Sequence, residues 1–426
     1  MIKENSPEVL VVGAGPVGMF AALSLSRRGI RVEIVDTGIW ACKHSYALAV
    51  QPQALSLFEE FGLAGALEAG AYPVRTIGLF DSQQRRAQIR LENAPMLVVR
   101  QDAIEELLEK KLREADVTVH WRHEVAALTP GESGVKVKIN KLEKDTRGYV
   151  IAHTEWSVAK SEEFEVPYVI GADGYNSLVR RTLNLGYPEV GPAAYYAVFE
   201  CKSDADLQNE MRLVLGEDTT DVLWPLPGGH CRWGFQLTGY SDPGAERIKD
   251  RLLEAGLGYF PTERTKDRGL TSEWGPLPVL EESRLHALIQ ERAPWFKAKI
   301  ENVTWRTVIR FERRLATAFG HGRLWLAGDA AHLTGPAGIQ SMNAGFFEAQ
   351  DLAGALAHIL REKGAASEFA SYNDCWLTAW RQLHGSLSTE PHSDPWIAAH
   401  AGALMSCLPA HGAALNNLAA QLGLKA

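Results

Sequence analysis

A glycine-rich turn between two apolar runs constrains the fold of this chain more than any other feature. The run Val9–Val12 enters the turn Gly13–Gly18, and the segment that follows, through Arg28, has helical character. A second apolar run, Arg31–Val35, ends on the acidic residue Asp36. This order of strand, glycine turn, helix, strand and terminal acid predicts a β-α-β unit that binds an adenine dinucleotide.

Each position in the glycine turn suits contact with phosphate groups. Gly13 permits the tight turn, Gly15 lets the backbone approach a pyrophosphate, and Gly18 lets the helix pack against its strand. Amides at the start of the helix then face the phosphates. Asp36 can accept hydrogen bonds from the ribose hydroxyls and would repel a 2′-phosphate, which favours FAD or NAD over NADP. The alternative is a tight turn in an unrelated α/β domain. The predicted cofactor residues of this unit are Gly13, Gly15, Pro16, Val17, Gly18 and Asp36.

Composition narrows the class of protein and of partner. The chain has 426 residues, 46% of them hydrophobic and 23% charged, which is enough for two intimately joined domains. A net charge of -8 argues against nucleic acid or an anionic membrane as a partner. The beginning of the chain does not resemble a signal peptide, so we expect a cytoplasmic location. The five cysteines lie far apart without a Cys-x-x-Cys pair, so we expect no zinc site, no other metal and no disulfide framework.

The pattern along the chain indicates two domains that are interleaved in sequence. Segment 74–94 has the pattern of a strand pair, 117–170 of a β-meander, and 186–284 of glycine- and proline-rich β structure with one helix. We therefore expect an α/β fold with a Rossmann-like cofactor domain, an interleaved β-sheet substrate domain and a helical C-terminal tail. The predicted bounds are 1–73, 95–185 and 285–384 for the first domain, 74–94 and 186–284 for the second, and 385–426 for the tail.

Two further apolar runs end on loops that contain small residues and one acid. The first run leads into the Gly-Ala-Asp-Gly loop 171–174, followed by a helix that Asn176 or Ser177 could cap. The second run leads into the Gly-Asp-Ala-Ala-His loop 328–332, whose small residues let another molecule approach closely. Both loops are predicted to face a cofactor.

The loops 13–18, 171–174 and 328–332 stand in a fixed order and are together far more specific than any one of them. Through these three loops the chain resembles the FAD-dependent aromatic hydroxylases of the para-hydroxybenzoate hydroxylase fold, also called the group A flavin monooxygenases. The resemblance covers about residues 1–185 and 300–375. The resemblance implies non-covalent FAD and transient reduction by NAD(P)H. It also implies hydroxylation of an aromatic or quinonoid small molecule with O2 through a C4a-hydroperoxyflavin.

The resemblance also implies roles for particular residues. Arg100, with Gln101 beside it, matches the family arginine near the FAD phosphates, and Asp329 would hold the ribityl hydroxyls. The helix that carries Asn343 would direct its partially positive amino end at the flavin. A salt bridge is the alternative for Arg100, and a helix cap is the alternative for Asp173 and Asp329. The cofactor residues predicted outside the first unit are Arg100, Gln101, Asp173, Gly328, Asp329, Pro336, Gly338 and Asn343.

The chain departs from the family pattern at several positions. Gly335, Ile339 and Ser341 stand where the family usually has a proline and two glycines. Tyr46 and Gln53 stand where many relatives have arginine. The docking of NAD(P)H is therefore the least secure step, and a partner reductase that delivers reduced flavin is the alternative.

The sequence does not identify a catalytic acid or base. Tyr46, His44, His230 and Tyr196 could deprotonate a phenol by their chemistry alone, and packing or surface positions are the alternative for each. The aromatic segment 224–235 fits either an apolar pocket wall or ordinary core. The predicted wall residues are Trp224, Pro225, Trp233 and Phe235.

Three other functions would suit an FAD-binding fold of this kind. A flavin-dependent halogenase would carry a Gly-Trp-x-Trp-x-Ile-Pro motif, which is absent from the sequence. An O2-independent FAD oxidoreductase and a non-catalytic flavin carrier are the other two. Oxygen uptake coupled to NAD(P)H oxidation would separate the hydroxylase from all three.

Overall fold

A computed structural model describes residues 6–39, 48–92, 94–147, 153–240, 278–335, 337–362, 364, 367–384 and 394–424. Its strands are β1 Val9–Val12, β2 Val32–Asp36, β3 Ala49–Val50, β4 Tyr72–Val74, β5 Thr76–Phe80, β6 Arg85–Arg90, β7 Met96–Val98, β8 Val119–Trp121, β9 His123–Pro130, β10 Val135–Arg147, β11 His153–Val166, β12 Tyr168–Gly171, β13 Glu189–Ser203, β14 Glu210–Leu215, β15 Thr220–Leu226, β16 His230–Leu237, β17 Ile300–Leu315, β18 Gly320–His321, β19 Leu324–Leu326 and β20 His332–Leu333. Its helices are α1 Pro16–Arg27, α2 Pro52–Glu60, α3 Ala64–Gly70, α4 Gln101–Glu114, α5 Leu178–Thr182, α6 Glu282–Arg292, α7 Gln340–Glu362, α8 Ser367–His384, α9 Pro395–Cys407 and α10 Gly412–Ala420.

A six-stranded sheet carries the glycine turn. Its strand order is β18-β19-β12-β1-β2-β8, and the five strands from β19 to β8 run parallel. Every residue of β1 is buried and apolar, as is usual for the strands of a covered parallel sheet. Helix α1 packs on β1 and β2, and helices α4 and α7 pack against α1. The predicted β-α-β unit is therefore present, with β1 next to β2 and its carboxyl end opening onto the turn.

A second sheet has eight strands in the order β20-β17-β13-β16-β15-β14-β5-β6. Strand β17 pairs antiparallel with β13, with Arg314 opposite Glu189 and Ile300 opposite Ser203. The predicted boundary after residue 284 is therefore wrong, because residues 300–315 belong to this large sheet and not to the cofactor domain. The strand character of this stretch was predictable from its sequence, whereas the identity of its partner strand was not, because pairing depends on distant residues.

The predicted β-meander is divided between two sheets. Strands β9, β10 and β11 form an antiparallel three-stranded sheet, whereas β8 and β12 join the six-stranded sheet. Strands β5 and β6 pair antiparallel, as the pattern in 74–94 predicts, and β5 attaches to the large sheet through β14.

Helices α9 and α10 cover one face of the large sheet. The carboxylate of Asp394 caps α9. Leu404 of α9 is fully buried in the same apolar cluster as Trp224 of β15 and Ile339. Gln340, at the start of α7, donates from Nε2 to the Leu408 carbonyl at 2.9 Å. The C-terminal helices thus contact both the large sheet and the start of α7. Within the described ranges, no helix combines the length and the apolar character needed to cross a bilayer.

Candidate active site

The glycine turn brings separate backbone segments into direct contact. Gly13 has a φ of +101°, and a Cβ atom at this position would lie 2.2 Å from the Ala172 carbonyl oxygen. A Cβ atom at Gly18 would lie 2.0 Å from the Gly13 carbonyl oxygen. In contrast, a Cβ atom at Gly15 would meet no atom of the described residues within 4 Å. The turn is closed toward the protein at Gly13 and Gly18 and open at Gly15, which is the geometry a phosphate-binding turn requires.

Helix α1 begins at this open side of the turn. Gly15 is its N-cap, Pro16 is its first residue, and Met19 N donates to the Gly15 carbonyl at 3.0 Å. The amides of Val17 and Gly18 lie in the first turn, where an α-helix provides no acceptor for them. Together with the helix dipole, these amides make a site suited to an anionic group.

Asp36 holds the glycine turn from the end of β2. Its Oδ2 accepts a hydrogen bond from Ala14 N at 2.6 Å, and its Oδ1 accepts one from Gly38 N at 2.6 Å. Burial raises the pKa of this carboxyl, and the two backbone hydrogen bonds oppose that shift. Each carboxylate oxygen has room for a second donor, so Asp36 can hold the turn and still receive a ribose hydroxyl.

Asp173 caps helix α5 beside the glycine turn. Its Oδ2 accepts hydrogen bonds from Leu178 N at 2.7 Å and Val179 N at 3.2 Å, and Ser177 is the N-cap residue of the same helix. Burial raises the pKa of Asp173, while Ser177 and the amides at the start of α5 oppose that shift. Asp173 therefore acts as a helix cap, which was the alternative to a cofactor role, and a contact of Asp173 with a cofactor stays a prediction.

Arg180 ties loop 171–174 to the loop after β19, and the sequence analysis missed it. Its guanidinium donates to the Ala330 carbonyl at 2.7 Å and to the Tyr175 carbonyl at 2.6 Å, and lies 3.8 Å from the ring centroid of Tyr187. The Tyr187 hydroxyl in turn donates to the Asp329 carbonyl at 3.0 Å. In the sequence Arg180 is one of two arginines at a helix end, where basic residues are ordinary, and no local signal points to Ala330.

The loop after β19 lies against the start of α1. A Cβ atom at Gly328, whose φ is +64°, would lie 3.2 Å from the side chain of Val17. Gly328 N donates to Glu348 Oε2 at 2.8 Å. The next residue, Asp329, is exposed, and its Oδ1 accepts a hydrogen bond from Ser341 Oγ at 2.8 Å. An exposed carboxylate, held by Ser341, thus stands on a loop that touches the phosphate turn.

Asn343 is fully buried and uses its side-chain amide within the protein. Its Oδ1 accepts from Gln51 N at 2.8 Å, and its Nδ2 donates to the carbonyls of Ala49 and Ile339, both at 2.9 Å. The Asn343 side chain thus ties β3 to the start of α7, and the predicted role of Asn343 in the cofactor site, through the amino end of its helix, stays a prediction. Gln51, which the sequence analysis missed, donates to the Gly338 carbonyl at 3.1 Å, and its buried Oε1 has no partner among the described residues.

Ile339 stands in the loop before α7 with a φ of +42°. A branched side chain in the left-handed region strains the backbone, and this is a position where the family usually has glycine. The Ile339 side chain lies in the apolar cluster with Leu404 of α9. Packing against the C-terminal helices therefore offsets the strain.

Arg100 pairs with an acid of the large sheet. Its Nη1 donates to Glu200 Oε2 at 2.8 Å, and Arg232 bonds the other carboxylate oxygen. Glu200 is 2% exposed, whereas 42% of the Arg100 side chain is exposed. Gln101 donates to Glu105 Oε1 at 2.7 Å. The salt-bridge alternative for Arg100 is realised, and the phosphate contacts of Arg100 and Gln101 stay predictions.

The two described candidates for a catalytic base do not suit that role. Tyr196 is buried, and burial holds the pKa of its phenol well above the usual range, which disfavours phenolate. His230 lies opposite Lys202, near one end of β13. Glu189, at the other end of β13, lies opposite β17 at the point where β17 also pairs with β20. The extended chain between those ends spans roughly 40 Å, so His230 is remote from loop 328–332. The other two candidates for a base, His44 and Tyr46, lie outside the described residues. The predicted cofactor residue Pro336 also lies outside them.

The predicted pocket wall is divided between the two faces of the large sheet. Leu223 lies opposite Trp233 in the pairing of β15 with β16, so Trp224 faces the other way. Trp233 and Phe235 are fully buried in a cluster with Phe296, whose ring meets Trp233 edge to face at 5.3 Å. Pro225, Trp233 and Phe235 lie on the face filled by this cluster, which favours the alternative of ordinary core for these three residues. Trp224 is on the face that carries Ile339 and α9.

The residues around the glycine turn fit FAD. The open space at Gly15 and the first-turn amides of α1 suit a pyrophosphate, and the buried, unpaired Gln51 Oε1 and the exposed Asp329 offer polar partners to the rest of the cofactor. The family model described as an FAD binding domain matches residues 6–384. The chain belongs to this FAD-binding family.

Relatives of this FAD-binding chain confirm its resemblance to the aromatic hydroxylases. It is 32% identical over 375 residues to the 6-methylpretetramide 4-monooxygenase of Streptomyces rimosus, a match that covers 84% of this chain and 57% of that protein. It is 26% identical over 375 residues to the pentachlorophenol 4-monooxygenase of Sphingobium chlorophenolicum, covering 84% of this chain and 59% of that protein. The chain thus spans less than two thirds of the length of these relatives.

Solved structures confirm the predicted fold class. The p-nitrophenol 4-monooxygenase of Pseudomonas putida DLL-E4 has a TM-score of 0.66 to this chain at 19% identity, with 94% of this chain and 93% of that chain covered. The flavin-dependent monooxygenase PieE has a TM-score of 0.68 at 18% identity, with 89% and 62% covered. The FAD-binding fold with an interleaved sheet and a helical C-terminal region is therefore established.

The substitution Arg180→Lys is expected to lower the affinity for FAD about tenfold, the effect of losing one strong hydrogen bond. Lysine keeps the charge but cannot reproduce the forked donation to the carbonyls of Ala330 and Tyr175 or the stacking on Tyr187. Titration of apoprotein with FAD, followed by flavin fluorescence, measures the change. Arg181→Lys, at the exposed neighbouring position, is the matched control. Wild-type affinity in Arg180→Lys would show that the link between the two loops is irrelevant to FAD.

Proposed function

We propose that this protein is an FAD-dependent monooxygenase that uses NAD(P)H and O2 to hydroxylate an aromatic or quinonoid small molecule. The observation that carries the proposal is the meeting of loops 13–18, 171–174 and 328–332, which Gly13, Gly328 and Arg180 bring into contact. The similarity to two enzymes named as 4-monooxygenases, one of them acting on pentachlorophenol, supports this reaction class.

In this proposal the chain binds and orients the reactants. The amides of Val17 and Gly18 would hold the pyrophosphate on the open side of Gly15, Asp36 would hold the adenosine ribose, and Asp329 would receive the ribityl hydroxyls. FAD, when bound, would supply electron transfer and activation of O2. The protein itself would orient the reactants, provide electrostatic stabilisation and exclude water.

The start of helix α7 would contribute electrostatic stabilisation. The amino end of this helix of 23 residues is partially positive, and the Asn343 amide fixes its approach by bonding Ala49 and Ile339. Negative charge develops on a flavin ring when it is reduced, and a fixed dipole stabilises that charge without reorganising. Gly338 would bring the backbone close to the ring, and Gln51 would hold Gly338 in place.

The substrate would bind between the large sheet and the loop before α7, and the large sheet would serve as the substrate domain. Trp224, Ile339 and Leu404 are themselves buried in one apolar cluster on that face, and apolar surroundings of this kind favour a flat, apolar substrate beside them. The opposite face, which carries Trp233, lies away from the loop before α7 and is not part of this proposal. Among the described residues we assign no acid or base to the reaction.

The reductant is proposed to be NAD(P)H, bound transiently. The β-α-β unit at 9–36 would be occupied by FAD, so nicotinamide would dock on another surface for the hydride transfer only. A partner reductase remains the specific alternative, because Gln53 stands where many relatives carry arginine.

Labelled O2 tests the proposal directly. The FAD-loaded protein is mixed with NADH or NADPH and a panel of phenols and aromatic polyketides, and O2 uptake and label in the product are measured. We expect a substrate to accelerate NAD(P)H oxidation and one labelled oxygen atom to appear in the product. Asp329→Ala, expected to bind FAD weakly, is the control. If NAD(P)H fails but chemically reduced protein still inserts label, a reductase partner is required. If label never enters any product under either reductant, the monooxygenase proposal fails.

A further inference from the structure

A buried acid receives several hydrogen bonds directly behind the loop that carries Asp329. Glu348 of α7 is fully buried and accepts from Gly328 N at 2.8 Å and from Trp380 Nε1 at 2.6 Å. The imidazole Nε2 of His332, also fully buried, lies 2.8 Å from the same carboxylate. The His332 ring stacks on Trp380 with centroids 3.7 Å apart. Such a set is rigid, because each member is fixed by more than one partner.

Ser341 connects this buried set to the exposed carboxylate of Asp329. Its Oγ lies 3.2 Å from His332 Nδ1 and 2.8 Å from Asp329 Oδ1. When both ring nitrogens of His332 carry a proton, the imidazole donates to Glu348 and to Ser341, and Ser341 donates to Asp329. Ser341 is also the one donor to the Asp329 carboxylate among the described residues. The orientation of that carboxylate therefore depends on a single hydroxyl group.

We propose that Ser341 is a positioning residue, which holds the Asp329 carboxylate in the orientation that receives hydroxyl groups of the cofactor's polyol chain. The inference rests on the proposed place of Asp329 in the FAD site. A free aspartate side chain would rotate in solvent and lose entropy on binding, whereas one fixed by Ser341 is already oriented. The hydroxyl is a feature of this chain, since the family usually has glycine at position 341.

The test compares FAD affinity and apoprotein stability in variants that remove or keep the hydroxyl. Ser341→Ala and Ser341→Gly are expected to raise the dissociation constant for FAD about tenfold, as for one lost hydrogen bond to a charged group. Ser341→Thr keeps the hydroxyl and is expected to bind FAD about as wild type. Ser371→Ala, at an exposed serine early in α8, is the control and should not change affinity. The melting temperature of each apoprotein reports any general damage to α7.

A double-mutant cycle separates positioning through Asp329 from any other effect of Ser341. Asp329→Ala removes the carboxylate, so adding Ser341→Ala to it should cause no further loss of affinity. A further tenfold loss would overturn the inference, as would wild-type affinity in both Ser341→Ala and Ser341→Gly. Loss of affinity in Ser341→Thr equal to that in Ser341→Ala, with a lowered apoprotein melting temperature, would show a structural role and also overturn it. If the wild-type protein does not bind FAD at all, the proposed function fails first, and that result is distinct from each of the others.

Discussion

Replacing Gly15 by alanine is expected to lower the affinity for FAD about a hundredfold or more while leaving the melting temperature of the apoprotein unchanged. A Cβ atom at Gly15 meets no described atom within 4 Å, so the fold tolerates it. The same Cβ atom would occupy the space in front of the first-turn amides of α1, where we propose that the pyrophosphate binds. Losing two charged hydrogen bonds of about 1.5–3 kcal/mol each accounts for an effect of this size. Titration with FAD and thermal unfolding of the apoprotein measure the two quantities.

Two other glycines provide the controls for this prediction. A Cβ atom at Gly65, on α3, also meets nothing within 4 Å, so Gly65→Ala should keep the affinity for FAD and stabilise the protein by about 0.5–1 kcal/mol. Gly18→Ala should damage both properties, because its Cβ atom would lie 2.0 Å from the Gly13 carbonyl. Wild-type affinity in Gly15→Ala would contradict the placement of the phosphates at this turn.

The sequence predicted the elements whose structure follows from residues that are close together in the chain. The turn 13–18 needs glycine for steric reasons that hold in any protein with this β-α-β unit, and Asp36 is fixed by the end of a strand whose length is evident from its apolar run. The structure places the Asp36 carboxylate on Ala14 N within the turn. A contact of this kind, inside one short unit, follows from sequence spacing alone.

The partners of charged and polar side chains were not predictable in the same way. Arg100 is the N-cap residue of helix α4, but its partner Glu200 is a hundred residues further along the chain, on the large sheet. Asn343 bonds Gln51 and Ala49 across larger gaps of 292 and 294 residues. Such contacts depend on how separate sheets pack, and packing leaves no signal in the residues that flank either partner.

The face of a strand was ambiguous for a related reason. Alternation shows that Trp233 and Phe235 share a face of β16, but the direction of that face depends on which helix or domain packs above it. Only the pairing of Leu223 with Trp233 shows that Trp224 looks the other way. A cluster of aromatic residues in sequence is thus a weak indicator of a pocket, since a sheet with two covered faces needs such residues on both sides.

The substitution Glu348→Gln is expected to lower the free energy of unfolding of the apoprotein by about 1–3 kcal/mol, the usual effect of leaving a buried hydrogen-bond donor without its acceptor. Glu348 is fully buried and receives donors from Gly328 N, His332 Nε2 and Trp380 Nε1. An amide accepts at its oxygen only, so its NH2 group would face at least one of these donors. Urea unfolding of the wild type and the variant at neutral pH gives the difference.

The same substitution at the end of helix α7 isolates the effect of burial. Glu362 is exposed and lies 3.4 Å from the exposed His358, so Glu362→Gln should change the free energy of unfolding by less than about 0.5 kcal/mol. A small effect at both positions would mean that the buried donors around Glu348 find other acceptors. The buried carboxylate would then have no part in fixing the position of Asp329, and the other contacts of loop 328–332, among them those with Arg180 and Tyr187, would be sufficient.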